Sequence, residues 1–457
     1  MKLSVIILAA GQGTRMRSTL PKVLHRIAGK PMLQHVIDTC KSLKADDIFV
    51  VYGHGGEQVK STITDKSIRW VKQAEQLGTG HAVKQVSPEI DDESQVLILY
   101  GDVPLIHHDT LHELISIFPE NGISLLTNQL ADPTGYGRIV RDDKQTVMGI
   151  VEQKDANEQQ LLIQEVNTGI MAANGKELKR WLANLSSDNA QQEYYLTDVI
   201  GFAASEGRAI VTATPNEPAE VEGVNNRRQL ASLERAYQIF RAQELMDGGV
   251  TLLDPYRFDL RGKLTAETDV IIDVNTIIEG NVIIKSGAYI GPNCHLIDCT
   301  IGENCVVKNN TIVEGAMVGA DCTLGPFARI RPGTSMSDNS HIGNFVEVKK
   351  STIGSGSKAN HLAYIGDAQI GKSVNVGAGT ITCNYDGANK HLTVIEDNAF
   401  IGSDTQLVAP VTIGKGATVA AGSTITKNVN AEALCLTRVK QKEIAGWQRP
   451  TKKSKAE

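Results

Sequence analysis

Apolar residues return at every sixth position from about Ile272 to about Ile425. One unbroken run is Val318, Leu324, Ile330, Met336, Ile342 and Val348. A second is Ile395, Ile401, Leu407, Ile413, Val419 and Ile425, and an earlier one is Ile272, Ile278, Ile284, Ile290 and Leu296. Glycine often follows the marker residue, as in Leu324-Gly325, Ile342-Gly343 and Ile401-Gly402. This period fits neither a helix nor a simple alternating strand. It fits a solenoid whose short strands each turn one side chain inward per flat face, with a turn between faces. At roughly eighteen residues per three-faced coil, the span from near Val250 to near Thr437 holds about ten coils. The period breaks over Thr382–His391, a polar, turn-rich stretch predicted to protrude as a loop, where function tends to reside.

Residues 1 to about 226 carry a different pattern. Ser4–Ala9, Ile48–Tyr52 and Val96–Tyr100 are short apolar runs that end in glycine or polar turns. Leu33–Leu43 and Thr110–Phe118 between them read as helices. Such alternation predicts an α/β domain with a mostly parallel sheet, whose active site lies at the carboxyl ends of strands. Arg227 through Asp247 carry Leu230, Leu233, Tyr237, Phe240 and Leu245 at helical spacing, and Gly248-Gly249 stops that helix. It is read as one linking helix.

Composition adds limits. A chain of 457 residues is expected to form two or three domains. The net charge of −6 argues against nucleic acid as the main partner. The one basic concentration, Lys452, Lys453 and Lys455, reads as a solvated terminus. No apolar run reaches membrane-spanning length. The apolar start Leu3–Ala10 leads directly into a Gly-rich loop, so it is read as a buried first strand and not as a secretory leader. The seven cysteines include no C-x-x-C pair, and Cys294, Cys299, Cys305 and Cys322 fall within the repeat. They are read as free thiols at interior or turn positions in a reducing cytoplasm.

The first strand runs into Leu8-Ala9-Ala10-Gly11-Gln12-Gly13-Thr14-Arg15-Met16, with Pro21-Lys22 shortly after. Gly11 and Gly13 let backbone N–H groups approach phosphate oxygens, and Arg15 and Lys22 supply positive charge. The third glycine of a dinucleotide fingerprint is missing, and the loop is not a Walker A loop. Asp102, just past a strand end, suits a hard-oxygen Mg²⁺ ligand; as a lone residue it also suits a turn or cap.

With Gln73, Gln76-Leu77-Gly78-Thr79-Gly80-His81-Ala82 and Tyr100-Gly101-Asp102-Val103-Pro104-Leu105, this segment resembles the sugar-nucleotide pyrophosphorylases. The resemblance implies a nucleotidyltransferase α/β (Rossmann-like) fold. It implies that Leu8, Ala9, Ala10, Gly11, Gly13, Lys22, Tyr100, Gly101 and Asp102 line UTP, with Gln73, Gly78 and Thr79 on uracil and ribose. It sets Gly137, Glu152 and Asn167 against an amino sugar, with Tyr195 and Thr197 nearby, and makes Asn225 a second Mg²⁺ ligand beside Asp102. Lys22 and Arg15 are the expected catalytic cations.

Within the solenoid, Arg331 and Lys349 are eighteen residues apart, one coil, so they stack on one face and can clamp a phosphate. Two basic residues alone are more often a solvated charged face. His361 lies twelve residues past Lys349, two faces on; spacing leaves open whether a corner or a neighbouring subunit brings it to the same cleft. Histidine is the side chain best suited to accept a proton near neutral pH, and an Asn amide is a suitable fixed donor to an oxyanion.

The repeat resembles the left-handed parallel β-helix of the hexapeptide-repeat acyltransferases. Head and repeat together resemble the bacterial bifunctional N-acetylglucosamine-1-phosphate uridylyltransferase/glucosamine-1-phosphate N-acetyltransferase family, across essentially the whole chain. That family implies a uridylyltransferase domain (1–226), a linking helix (227–249) and an N-acetyltransferase domain with C-terminal tail (250–457). It implies His361 as general base, oriented by Glu347, and Asn384 as oxyanion donor. Arg331, Lys349, Tyr364 and Asn375 would hold glucosamine-1-phosphate. Ala378, Asn384, Tyr385, Ser403, Ala421 and Arg438 would line acetyl-CoA. It further implies a homotrimer, Mg²⁺, and a cytoplasmic role in supplying peptidoglycan and lipopolysaccharide precursors. Two rivals remain: a single-function pyrophosphorylase whose solenoid only regulates or oligomerises, and a non-catalytic assembly subunit. The Arg331, Lys349, His361 and Asn384 set argues against the first, and Lys22, Asp102 and Asn225 against the second.

Overall fold

The computed structural model describes residues 2–53 and 55–450, so the basic residues Lys452, Lys453 and Lys455 lie outside the described residues. The chain forms two compact units, Met1–Phe240 and Arg241–Glu457. The helix Arg227–Asp247 matches the predicted linking helix and runs across this division. Gly249, at φ 92°, follows its end in the left-handed conformation that glycine tolerates.

The first unit is built on a sheet whose main path runs Ile210–Ala213, Ile123–Gln129, Glu165–Asn174, Gln95–Tyr100, Leu3–Ala9, Asp47–Tyr52, Ile68–Lys72. Leu3–Ala9 is apolar because both of its faces are covered. Ile6 and Leu8 pack into one core cluster, and Val5, Ile7 and Ala9 into the cluster on the opposite face. The predicted helix near Leu33 is Met32–Ser42, burying Leu33, Val36, Ile37 and Cys40 at the spacing of one helix face. The second predicted helix is His108–Ser116. Leu3–Ala9 pairs in parallel with Asp47–Tyr52 on one side and Gln95–Tyr100 on the other. The carboxyl ends of these strands form a topological switch point, where open α/β sheets bind ligands. Glu165–Asn174 runs antiparallel to both neighbours, and its pairing slips between Asn167 and Met171. That irregularity re-aims Asn167 through Gly169.

The second unit is a parallel β-helix. One face is an 11-stranded ladder from Thr251–Leu252 to Leu434–Cys435, and the other two faces join as a 17-stranded sheet. Every marker residue of the three runs lies in one continuous buried core. Each such side chain contributes about 1.5–3 kcal/mol by burial. The glycines after the markers have a steric reason. A Cβ on Gly343 would run into the backbone of Asn360 in the next coil, and one on Gly402 into the backbone of Ala421. Coil length varies: Ile330 pairs with Val348, eighteen on, and Val348 with Ile365, seventeen on. Cys294, Cys299, Cys305 and Cys322 are free and buried.

The predicted loop is shorter than Thr382–His391. Ile381–Cys383 is a strand, and Thr382 is buried with its hydroxyl accepting from the Gly366 N–H at 2.7 Å. Asn384 is also buried, so the protruding part begins at Tyr385, which is 61% exposed. Asp386 closes that loop by accepting from the backbone of Ala388 and Asn389, and its carboxylate pairs with the His391 ring at 2.7 Å. The apolar period could not reveal polar residues that stay inside the coil by bonding its backbone.

Candidate active sites

In the first unit, Arg15, Lys22, Asp102 and Asn225 converge at the switch point. The Lys22 ammonium pairs with the Asp102 carboxylate and donates to Asn225 Oδ1 at 3.2 Å. Arg15 Nη2 donates to the same Asn225 oxygen at 2.9 Å. Residues 15 and 225 are far apart in sequence; the Val224 N–H bonded to Asp102 O at 2.9 Å ties the second segment down. Gly13 takes φ 62°, and a Cβ there would stand 2.7 Å from Lys22 Cβ, so the loop passes directly over the lysine stem. Gly11 faces open space. Gly101 N–H bonds Leu8 O at 2.9 Å, joining the ends of the two central strands. Ala9 and Ala10 are buried there, Ala10 beside Gly53.

Gln73 Nε2 donates to Gly78 O at 3.1 Å, and Thr79 Oγ1 accepts from the Leu196 N–H at 3.2 Å. The Gly78 turn is thereby fixed against residues 194–196. On the other flank, a Cβ on Gly137 would meet both Glu152 carboxylate oxygens, and Asn167 N–H bonds Gly137 O at 2.9 Å. Gly137, Glu152 and Asn167 therefore share one locus. Thr197 donates to Glu152 Oε1 at 3.1 Å, whereas the Tyr195 hydroxyl accepts from Gln191 at 2.9 Å. Burial pushes the Glu152 carboxyl above its ordinary range, and the Thr197 bond works against that push. The Tyr100 ring lies against Gly169, and burial raises its phenol. A cavity of about 250 Å³ lined by Tyr136, Thr168, Glu222 and Gly223 opens beside these groups.

In the second unit, the register shows how these residues stand to one another within the chain. Arg331 N–H bonds Val348 O, and Lys349 pairs with Gly366, so Arg331 and Lys349 occupy equivalent places on successive coils. Tyr364 pairs with Glu347 on the same face. His361 closes the strand Lys358–His361 at the corner just before Tyr364, stacked on Asn344 of the preceding coil. Twelve residues in a three-faced coil thus bring His361 to the near edge of the same face.

His361 Nδ1 bonds Asn344 Oδ1 at 2.8 Å. An amide oxygen only accepts, so Nδ1 carries the proton and Nε2 presents its lone pair. This corrects the expected Glu347–His361 pairing: Glu347 instead binds the Arg331 guanidinium at 2.7 Å. The edge continues past His361 through Ala378, Ser403 and Ala421. Asp404 N–H bonds Ala378 O at 2.7 Å, and Gly422 N–H bonds Ser403 O at 2.8 Å. The Arg438 stem lies against Gly422. Asn375 lies on the face preceding that corner. Gly366 has no side chain because the Tyr364 hydroxyl and the Asn384 amide fill its space; a Cβ would come within 2.5 Å and 2.8 Å of them. Asn384 Nδ2 donates to Asp367 at 2.5 Å.

Sequence reasoning missed several participants. Lys390, on the protruding loop, meets Lys349 and holds its ammonium below the usual lysine range, with Arg331 adding to the effect. Three cations so placed attract an anion. Asn344 stands one coil before His361 but seventeen residues back, so the eighteen-residue step read from the sequence points to Gly343 instead. Lys390 had no signal at all. A groove of about 600 Å³ lined by Gln369, Val394, Glu396 and Lys415 contains none of the predicted residues.

Residues 5–151 match the MobA-like NTP transferase domain. Residues 392–427 match six bacterial transferase hexapeptide repeats, and residues 260–334 match the GMPPB C-terminal domain. Solved structures that match include a UDP-glucose pyrophosphorylase complexed with UDP-glucose, at 17% identity and TM-score 0.44, covering 52% of this chain and 98% of that one. Another is a nucleotidyl transferase from Methanothermobacter thermautotroptrophicus, at 16% identity and TM-score 0.39, covering 52% of this chain and 97% of that one. The chain therefore joins an α/β nucleotidyltransferase domain to a parallel β-helix with hexapeptide transferase repeats.

Proposed function

We propose that the chain makes UDP-N-acetylglucosamine in two transfers. The β-helix acetylates glucosamine-1-phosphate from acetyl-CoA, and the α/β domain transfers UMP from UTP to the resulting N-acetylglucosamine-1-phosphate. The observation that carries the two-activity reading is His361, a base-competent imidazole on one solenoid edge with Ala378, Ser403 and Ala421.

For acetyl transfer, the Arg331, Lys349 and Lys390 cations receive the sugar phosphate. The amine attacks the thioester carbonyl and His361 Nε2 takes its proton. Asn384 has two amide N–H groups and spends one on Asp367, which leaves the other for the oxyanion. The C–S bond breaks, and coenzyme A leaves as thiolate and takes up a proton.

For uridylyl transfer, an oxygen of the sugar phosphate attacks the α-phosphorus of UTP and the bond to pyrophosphate breaks. The nucleophile is already anionic, so no general base is required. Backbone N–H groups at Gly11 and Gly13, with Arg15 and Lys22, orient the triphosphate and offset its charge. The pair Asp102 and Asn225 suits Mg²⁺, a cation often held by one or two protein oxygens plus phosphates and waters. When bound, Mg²⁺ supplies further charge neutralisation on the phosphates.

The same reading includes a cytoplasmic homotrimer. Phe327, Phe345 and Leu362 stack at the His361 corner, are 49%, 56% and 63% exposed, and all take positive φ. Bulky apolar residues in that conformation carry strain, and burial against a second copy would offset it. Among the described residues no helix is long and apolar enough to cross a membrane.

Separate substitutions test the reading. Asp102→Ala is expected to abolish uridylyl transfer and spare acetyl transfer, and His361→Ala to do the reverse, with a loss of about 10²–10⁴-fold. Loss of both activities in either folded variant would refute separate sites.

A further inference from the structure

The pairing of Lys22 with Asp102 and Asn225 has a second consequence. The two side chains given to the cation are already engaged by an ammonium group of the same chain. Lys22 and Asp102 are 14% and 16% exposed at the side chain, so either charge left alone would carry a substantial desolvation cost. The lysine stem is held under the glycine loop at Gly13, which keeps its head group between the phosphate loop and Asp102.

We infer that Lys22 is an internal counterion that holds the cation position of this site until a triphosphate offers its ammonium another partner. The inference rests on the proposed Mg²⁺ role of Asp102 and Asn225. A tethered ammonium competes at high effective concentration with any free divalent cation. Lys22 must leave Asp102 before a second cation can take that carboxylate. Phosphate oxygens at Gly11 and Gly13 give it somewhere to go, within reach of the same stem. Nucleotide and divalent cation are then coupled: each lowers the cost of admitting the other, by the same factor in both directions. Lys22 therefore has two successive partners, Asp102 in the empty site and phosphate in the loaded one. The metal site stays closed to cations that arrive without nucleotide.

The test is direct Mn²⁺ binding to the full chain without nucleotide, read by electron paramagnetic resonance, for wild type, Lys22→Met, Lys22→Gln, Lys22→Arg and Asp102→Asn combined with Lys22→Met. Thermal melting checks that each variant is folded, and two neutral substitutions guard against one failing to fold. Both neutral variants are expected to bind Mn²⁺ at least about tenfold more tightly than wild type, because a unit charge adjacent to the site is gone. Lys22→Arg keeps the charge and is expected to stay near wild type. Neutral variants that bind no tighter than wild type, including no binding in either, overturn the inference. Asp102→Asn combined with Lys22→Met is expected to bind more weakly than Lys22→Met alone; if it binds as tightly, the metal assignment itself fails and the inference falls with it.

Discussion

His361 donates its Nδ1 proton to Asn344 Oδ1 at 2.8 Å, from one coil of the solenoid to the coil before it. That bond fixes the tautomer and leaves Nε2 as the proton acceptor. Asn344→Leu removes the acceptor without adding charge. Acetyl transfer is expected to fall on the order of tenfold or more in kcat, with KM for both substrates little changed. Steady-state kinetics across pH checks it: an unchanged kcat and an unchanged pH profile would remove Asn344 from the mechanism.

Gly366→Ala places a methyl group against the Tyr364 hydroxyl and the Asn384 amide, at 2.5 Å and 2.8 Å before relaxation. Both side chains must move, and small misplacements at a reacting centre are costly. Acetyl transfer should drop about 10²-fold while uridylyl transfer is retained, measured by assaying the two half-reactions separately.

Lys390 keeps the Lys349 ammonium below its ordinary range because like charges disfavour the protonated form. Phosphate binding uses that protonated form, so it weakens as pH rises through the lowered value. Lys390→Ala removes the repulsion and raises the Lys349 pKa. The alkaline limb of KM for glucosamine-1-phosphate should then move to higher pH, while KM at neutral pH rises from the loss of one cation. A limb that stays in place would separate Lys390 from Lys349.

Burial raises the Glu152 carboxyl and the Thr197 hydroxyl opposes the rise, so Thr197→Val should raise it further. The ionised form then appears at higher pH. The acid limb of kcat/KM for uridylyl transfer should shift upward in Thr197→Val. The sign for stability is consistent: a carboxyl raised by folding contributes below its ordinary range and loses that contribution as pH rises through the raised value. An acid limb that stays at the wild-type pH would take Glu152 out of sugar binding.

The solenoid was legible because every inward position faces the same requirement, an apolar side chain of fixed size once per face, and Ile330, Ile401 and their fellows repeat it. The site was legible only in part. Arg331 and Lys349 follow from the eighteen-residue coil, whereas Asn344 lies seventeen residues before His361 and does not. The Lys22–Asp102–Asn225 cluster joins segments whose closeness depends on strand order, which local patterns do not carry. Lys390 sits on the protruding loop after Asn384, outside the repeat, so no period places it. The Glu347–Arg331 pairing replaced the expected Glu347–His361 one because Glu347 faces the cation ladder across one coil, at 2.7 Å.

The most direct test of the central claim is mass spectrometry of the products formed by the purified chain from glucosamine-1-phosphate, acetyl-CoA, UTP and Mg²⁺, omitting each in turn. UDP-N-acetylglucosamine should appear only with all four, and omission of UTP should leave N-acetylglucosamine-1-phosphate. If nothing is acetylated while supplied N-acetylglucosamine-1-phosphate is still uridylylated, the two-transfer account is contradicted and the solenoid is a scaffold.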